Sequence, residues 1–237
     1  MRRSNSILAS VALAALAGSA SAGVSLPAFD FVLSENGNPV YSTAANPGSW
    51  IAVPQAGGSW LVQGNYISGT VSLDFQLTLK SDPFATSNFN LTNTSGALGF
   101  YSTSLTLAVT PVAAPSNYQG GVSGSIGDNS ANFDGAALTA FPGAFYTALV
   151  DGAPLHQLYP TGSSVVEPFG GLTADLPAQN YALGAGPAVV GTIGIRNDFS
   201  LTADDSVGMV SRFDIIPAPG AASMLGLAGL AAIRRRR

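Results

Sequence analysis

One stretch constrains this chain more than any other. Ile67, Val71, Leu73, Phe75, Leu77 and Leu79 alternate with Ser68, Thr70, Ser72, Asp74, Gln76 and Thr78. A period of two places one set of side chains against a core and the other in water, the pattern of a half-buried strand. Gly69 sits in the apolar set and marks a bend. The same alternation recurs at Phe29, Phe31 and Leu33, and again at Leu105, Leu107 and Val109. Ile193, Ile195, Phe199 and Leu201 alternate with Thr192, Arg196, Asp198, Ser200 and Thr202. After a turn at Ala203-Asp204-Asp205-Ser206, Val207, Met209, Phe213 and Ile215 alternate once more. This pair reads as a hairpin closing the domain. No stretch between these strands carries an apolar stripe at helical spacing, and Gly and Pro punctuate the intervals. Many short strands joined by turns give an all-β chain, an antiparallel β-sandwich of which the jelly roll is one form. Residues 111–134, rich in Gly, Ser and Asn, read as its longest loop.

The two ends stand apart from this pattern. Met1-Arg2-Arg3 is basic, Ile7 to Gly18 is apolar, and Ala20-Ser21-Ala22 supplies small residues at both positions an export peptidase reads. These are the three parts of a secretory signal peptide, with cleavage between Ala22 and Gly23 by signal peptidase. At the other end, Pro217-Ala218-Pro219-Gly220 precedes an apolar run from Ala221 to Ile233, followed by Arg234, Arg235, Arg236 and Arg237. Thirteen helical residues reach about 20 Å, short of the roughly 30 Å hydrocarbon core of a bilayer. The arginines favour the cytoplasmic side. The segment reads as a transient stop, with the passenger outside and the arginines inside.

The order proline motif, apolar run, basic cluster resembles the C-terminal sorting signal of PEP-CTERM proteins. Ala218 stands where that family usually has Glu, and the resemblance covers residues 217–237. It implies export in a Gram-negative-type bacterium, processing by an exosortase-like membrane peptidase, and delivery to the cell surface or an exopolysaccharide matrix. It implies contact with the membrane only transiently, through the tail. Three segments follow: residues 1–22 as signal peptide, 23–216 as the β-sandwich passenger, and 217–237 as the sorting tail.

Composition bears on what the passenger does. Its bases are Lys80, Arg196 and Arg212, against all 13 acidic residues of the chain, so its charge is 3 − 13 = −10. That balance argues against nucleic acid, whose phosphates need basic partners, and against anionic membrane surfaces as ligands. With no cysteine, disulfides and thiolate metal sites are excluded. The single histidine, His156, excludes multi-histidine zinc sites and lies between apolar neighbours, and reads as a structural or surface residue and not a base. No Gly-x-Ser-x-Gly elbow is present, and neither Gly120-Gly121 nor Gly170-Gly171 continues as a phosphate loop. No cofactor is expected.

Three further features were candidates for chemistry. Residues 128–135 space Asp128, Ser130, Asn132 and Asp134 two apart, as calcium loops do. Phe133 stands where an EF-hand needs Gly and Thr139 where it needs Glu, so a turn explains them. Trp50 and Trp60 flank a loop with Pro54, Gly57 and Gly58. Exposed, they would stack on sugar rings; buried, they belong to the core. Asn90-Leu91-Thr92 and Asn93-Thr94-Ser95 match glycosylation acceptors and read as chance in a Ser-, Thr- and Asn-rich chain. The expectation is therefore a non-enzymatic surface or matrix protein, with a carbohydrate-binding module as the alternative and a glycoside hydrolase behind it.

Overall fold

The computed structural model describes residues 25–114, 116–129, 134–168 and 172–217. Fifteen strands run through them. In chain order they are β1 (Phe29–Glu35), β2 (Asn38–Ser42), β3 (Trp50–Pro54), β4 (Trp60–Ile67), β5 (Val71–Lys80), β6 (Phe84–Asn93) and β7 (Gly99–Ala108). They continue as β8 (Ser116–Asp128), β9 (Ala136–Thr139), β10 (Tyr146–Val150), β11 (Ala153–Leu158), β12 (Ser164–Glu167), β13 (Thr173–Gly186), β14 (Thr192–Leu201) and β15 (Asp205–Pro217).

The strands form two antiparallel sheets. One has eight strands, in the order β11-β10-β14-β7-β1-β2, with β9 beside β14 and β12 beside β9. The other has seven, in the order β13-β8-β15-β6-β5-β4-β3. The core lies between them, as the alternation predicts for a sandwich. Phe31 of β1 meets Phe75 of β5 with ring centroids 4.8 Å apart, and Phe89 of β6 stacks on Phe199 of β14 at 6.1 Å. Leu73, Leu77, Leu79, Leu105, Leu107 and Met209 are wholly buried around them. Each such side chain stabilises the fold by about 1.5–3 kcal/mol relative to exposure.

Three expectations need correction. β14 and β15 are not a hairpin: they lie in different sheets, and the turn at residues 202–204 carries the chain across the core. Local sequence cannot distinguish a turn that folds a strand back from one that crosses over. Ile67 ends β4 and is exposed, so the long alternation is two strands and not one, broken at residues 68–70, where Gly69 does sit in a bend. Residues 116–128, expected in a loop, are β8, which pairs with β13 on one side and β15 on the other. Its glycines suit a strand crowded by tyrosines. A Cβ on Gly120 would lie 2.4–2.6 Å from the hydroxyls of Tyr181 and Tyr146 and the carbonyl of Arg212.

Ala20, Ala22, Gly23, Ala218, Pro219, Gly220 and Arg234 to Arg237 lie outside the described residues. Pro217 closes β15, paired with Ser116.

Candidate functional site

The outer face of the seven-stranded sheet carries the candidate site. Register fixes which side chains stand together. Gln63 of β4 faces Gln76 of β5, which faces Asn88 of β6. One repeat along the same strands, Asn65 faces Asp74, which faces Asn90. Neighbouring strands are about 4.8 Å apart and alternate residues about 6.8 Å apart, so the six side chains fill a patch of roughly 10 by 7 Å. All six are exposed, and they line an open hollow of about 610 Å³.

These residue types are unusual at these positions. Asn and Asp are depleted in strands, where Ser and Thr or β-branched residues serve a solvated face better. The neighbouring rungs follow that rule: Thr78 faces Thr86 on one side, and Ser72 faces Thr92 on the other. Only the two middle rungs depart from it. Their side chains also make no hydrogen bond to any described residue. Five amides and one carboxylate thus present their donors and acceptors to solvent, each amide having one acceptor oxygen and two donor hydrogens.

A wall of backbone and apolar surface flanks the rungs. Gly48, Ser49, Trp50 and Ile51 form it. Ile51 pairs with Gln63 and is 54% exposed, which puts an apolar side chain beside the amides. Behind the wall, on the inward face, Gly64 lets Trp50 and the Ser49 carbonyl pack close against Phe75. A Cβ there would lie 2.5 Å from the Phe75 ring and 2.8 Å from both the Ser49 carbonyl and Trp50 Cβ.

The residues singled out from sequence fall elsewhere or play other parts. Trp50 turns inward: its indole N–H donates to the Thr43 carbonyl at 3.0 Å, and its ring meets Phe29 edge-on at 5.1 Å. Trp60 is half-buried, paired with Leu79 on the inward side. Neither is an open stacking platform. His156 packs on Tyr181 with ring centroids 4.1 Å apart, and Tyr181 touches Tyr146 and Tyr118 in turn. The Tyr146 and Tyr181 hydroxyls are 3.1 Å apart, and Tyr146 donates to the Arg212 carbonyl at 2.8 Å. Burial pushes the Tyr181 phenol up to about 12 and Tyr146 well beyond the ordinary range. The cluster is a packed junction between sheet edges, with phenols that stay protonated.

Asp128 is the last residue of β8 and accepts a hydrogen bond from the Gly135 N–H at 3.1 Å, while Ser130 and Asn132 lie outside the described residues. Asp205, expected in the turn of a hairpin, opens β15 instead; it is wholly buried and accepts from the Thr202 hydroxyl. Burial raises its carboxyl above the usual range; the Thr202 hydrogen bond opposes this, and the charges of Asp128 and Asp134 add to it. Among the described residues, no group of three or more His, Asp and Glu side chains is placed to hold a metal ion. Asn93 is also fully buried, its amide hydrogen-bonded, so it does not present itself to a modifying enzyme.

No family model matches the chain, and no curated protein sequence matches it. Among solved structures, the carbohydrate-binding module TmCBM61 in complex with beta-1,4-galactotriose aligns at a TM-score of 0.27 and 13% identity, over 72% of this chain and 90% of that one. A GH31 alpha-xylosidase from Xanthomonas citri aligns at 0.17 and 11%, over 78% of this chain and 29% of that one. Overlap at this level says nothing about a ligand of this chain.

The amide patch was half visible in sequence. Asp74 and Gln76 are the polar members of the leading alternation. Asn88 and Asn90 belong to a weaker one, in which Ala85, Ser87, Phe89 and Leu91 turn inward. Only the β5–β6 register brings the two sets together.

Proposed function

We propose that this is an exported, non-enzymatic surface or matrix protein that binds neutral polysaccharide on the outer face of its seven-stranded sheet. The observation that carries this reading is the pair of rungs Gln63–Gln76–Asn88 and Asn65–Asp74–Asn90. Amides both donate and accept, which matches hydroxyl groups that do the same. Ile51 offers an apolar surface to the C–H faces of a sugar. The passenger's charge of −10, with Asp74 in the middle of the patch and no base lining the hollow, disfavours acidic polysaccharide. The lining holds one carboxylate, whereas glycoside hydrolysis uses two flanking the scissile bond.

The ends of the chain supply the route. The signal peptide directs export, with cleavage between Ala22 and Gly23. The tail, Pro217 to Gly220 followed by the apolar run and Arg234 to Arg237, engages an exosortase-like peptidase and delivers the sandwich to the cell surface or exopolysaccharide.

Affinity electrophoresis tests the binding. The protein should be retarded in gels containing neutral polysaccharide and pass unhindered through gels containing alginate. Each amide hydrogen bond contributes about 1 kcal/mol, roughly five-fold in affinity, so Gln76→Ala with Asn88→Ala should weaken binding by at least roughly ten-fold. Equal retardation of both proteins, or no retardation by any neutral polysaccharide including that of the host cell, would refute the reading.

A further inference from the structure

The last strand runs straight into the sorting tail. β15 lies between β8 and β6 and is paired along its whole length, from Asp205 with Asp128 to Pro217 with Ser116. Near its end the Ile215 N–H donates to the Pro83 carbonyl at 2.9 Å. Between Pro217 and the apolar run at Ala221 stand only Ala218, Pro219 and Gly220. Even fully extended, those residues span at most about 11 Å.

We infer that, while the tail occupies the membrane, the sandwich stands upright on the lipid surface, touching it with the loops around the end of β15. This rests on the sorting-tail reading above. The contacting end is made by residues 55–59, 81–83, 109–114, 151–152 and 187–191. Hydrogen bonds from Thr110 to Ser81, from Val109 to Gly191 and from Asp151 to Thr192 join these loops into one surface.

Charge selects the same orientation. At the contacting end, Lys80 and Arg212 offset part of the acidic charge. Asp82 pairs with Lys80 at 2.7 Å, Asp214 with Arg212 at 3.0 Å, and Asp151 accepts from the N–H groups of Val190, Gly191 and Thr192 at 2.8–2.9 Å. At the opposite end stand Glu35, Asp128, Asp134, Glu167 and Asp204, beside the buried Asp205; several of them are hydrogen-bonded, but no Lys or Arg among the described residues there offsets their charge. A ten-residue strand separates the two ends by about 34 Å, several times the Debye length of about 8 Å. Tilting would bring the acidic end toward anionic lipid and is opposed; standing upright keeps it beyond reach. Exposed apolar side chains do not decide the matter, since Val190 and Ile216 stand at one end and Ile67, Leu98 and Leu172 at the other. The upright pose turns the amide hollow sideways, open to polysaccharide lying along the cell.

The absence of cysteine makes the test direct. Full chain carrying Ala188→Cys, at the contacting end, or Ala97→Cys, at the far end, is labelled with a fluorophore; both positions are exposed. Each protein is incorporated into phosphatidylethanolamine–phosphatidylglycerol vesicles containing a headgroup-quencher lipid. The label at position 188 should be quenched severalfold more than the label at position 97. Equal or reversed quenching in protein that floats with the vesicles would overturn the inference while leaving the tail reading intact. Protein that fails to float would overturn the tail reading, and the orientation with it.

Discussion

Asn93 holds the crossing between the sheets, and replacing it tests that role quantitatively. It is the last residue of β6 and wholly buried. Its Nδ2 donates to the carbonyls of Ala97 at 2.8 Å, Leu201 at 3.2 Å and Thr202 at 2.9 Å. Its Oδ1 accepts from the backbone N–H of Ser95 at 3.0 Å and from the Ser95 hydroxyl at 2.7 Å. Two hydrogens thus serve three carbonyls, and one is shared. The amide ties the end of β6 to the segment that carries the chain from β14 to β15. Asn93→Ala removes two donated and two accepted bonds. At about 1 kcal/mol each this approaches 4 kcal/mol, and water reaching the partly exposed partners reduces it to about 3 kcal/mol. Asn93→Asp keeps the acceptor for Ser95 but sets a carboxylate oxygen against three carbonyl oxygens in a buried place. It should therefore destabilise more than alanine does. Urea denaturation followed by the fluorescence of Trp50 and Trp60 measures both variants. A loss of about 3 kcal/mol corresponds to a Tm lower by roughly 6–12 °C in a domain of this size. An Asp variant as stable as the Ala variant, or an Ala variant within about 0.5 kcal/mol of the parent, would refute the reasoning.

Two further outcomes follow from the same reading. Asp205 has its carboxyl raised by burial, so the stability it contributes is full below the ordinary carboxylate range and is lost as pH rises through its elevated value. Asp205→Asn should raise Tm at pH 7 and converge with the parent near pH 3; a difference independent of pH would contradict this. Replacing Arg234, Arg235, Arg236 and Arg237 with glutamine should reduce the fraction of protein delivered to the cell surface severalfold, measured by surface biotinylation against total protein, and unchanged delivery would show that the basic cluster is no signal.

The parts of the fold legible in sequence are those where one face of a strand meets the core and the other meets water. β5, β7 and β15 announce themselves by alternation for this reason. β8 hides because its glycines look like loop punctuation. Gly120 is there so that Tyr146 and Tyr181 can meet beneath it, and Gly124 because a Cβ would lie 2.5 Å from the Gly208 carbonyl. Both are contacts between residues distant in the chain. The crossing at residues 202–204 hides for a similar reason, since what holds it is Asn93, more than a hundred residues earlier. The inward Trp50 was decided by Thr43 and Phe29, which no local pattern pairs with it. Of the amide patch, Asp74 and Gln76 stood out as the polar half of an alternation. Their significance depends on Asn88, Asn90, Gln63 and Asn65 arriving beside them, which is a matter of register across β4, β5 and β6.

The most direct test of the central claim uses the amides themselves, whose side-chain NH₂ groups give their own signals in a ¹⁵N-edited NMR spectrum. Titrating the folded protein with soluble fragments of neutral exopolysaccharide should shift the side-chain signals of Gln63, Asn65, Gln76, Asn88 and Asn90 together, along one binding curve. Buried Asn93 and Asn197 should hold still. Shifts confined to the loops or to the outer face of the eight-stranded sheet, with these five unmoved at saturation, would contradict the account.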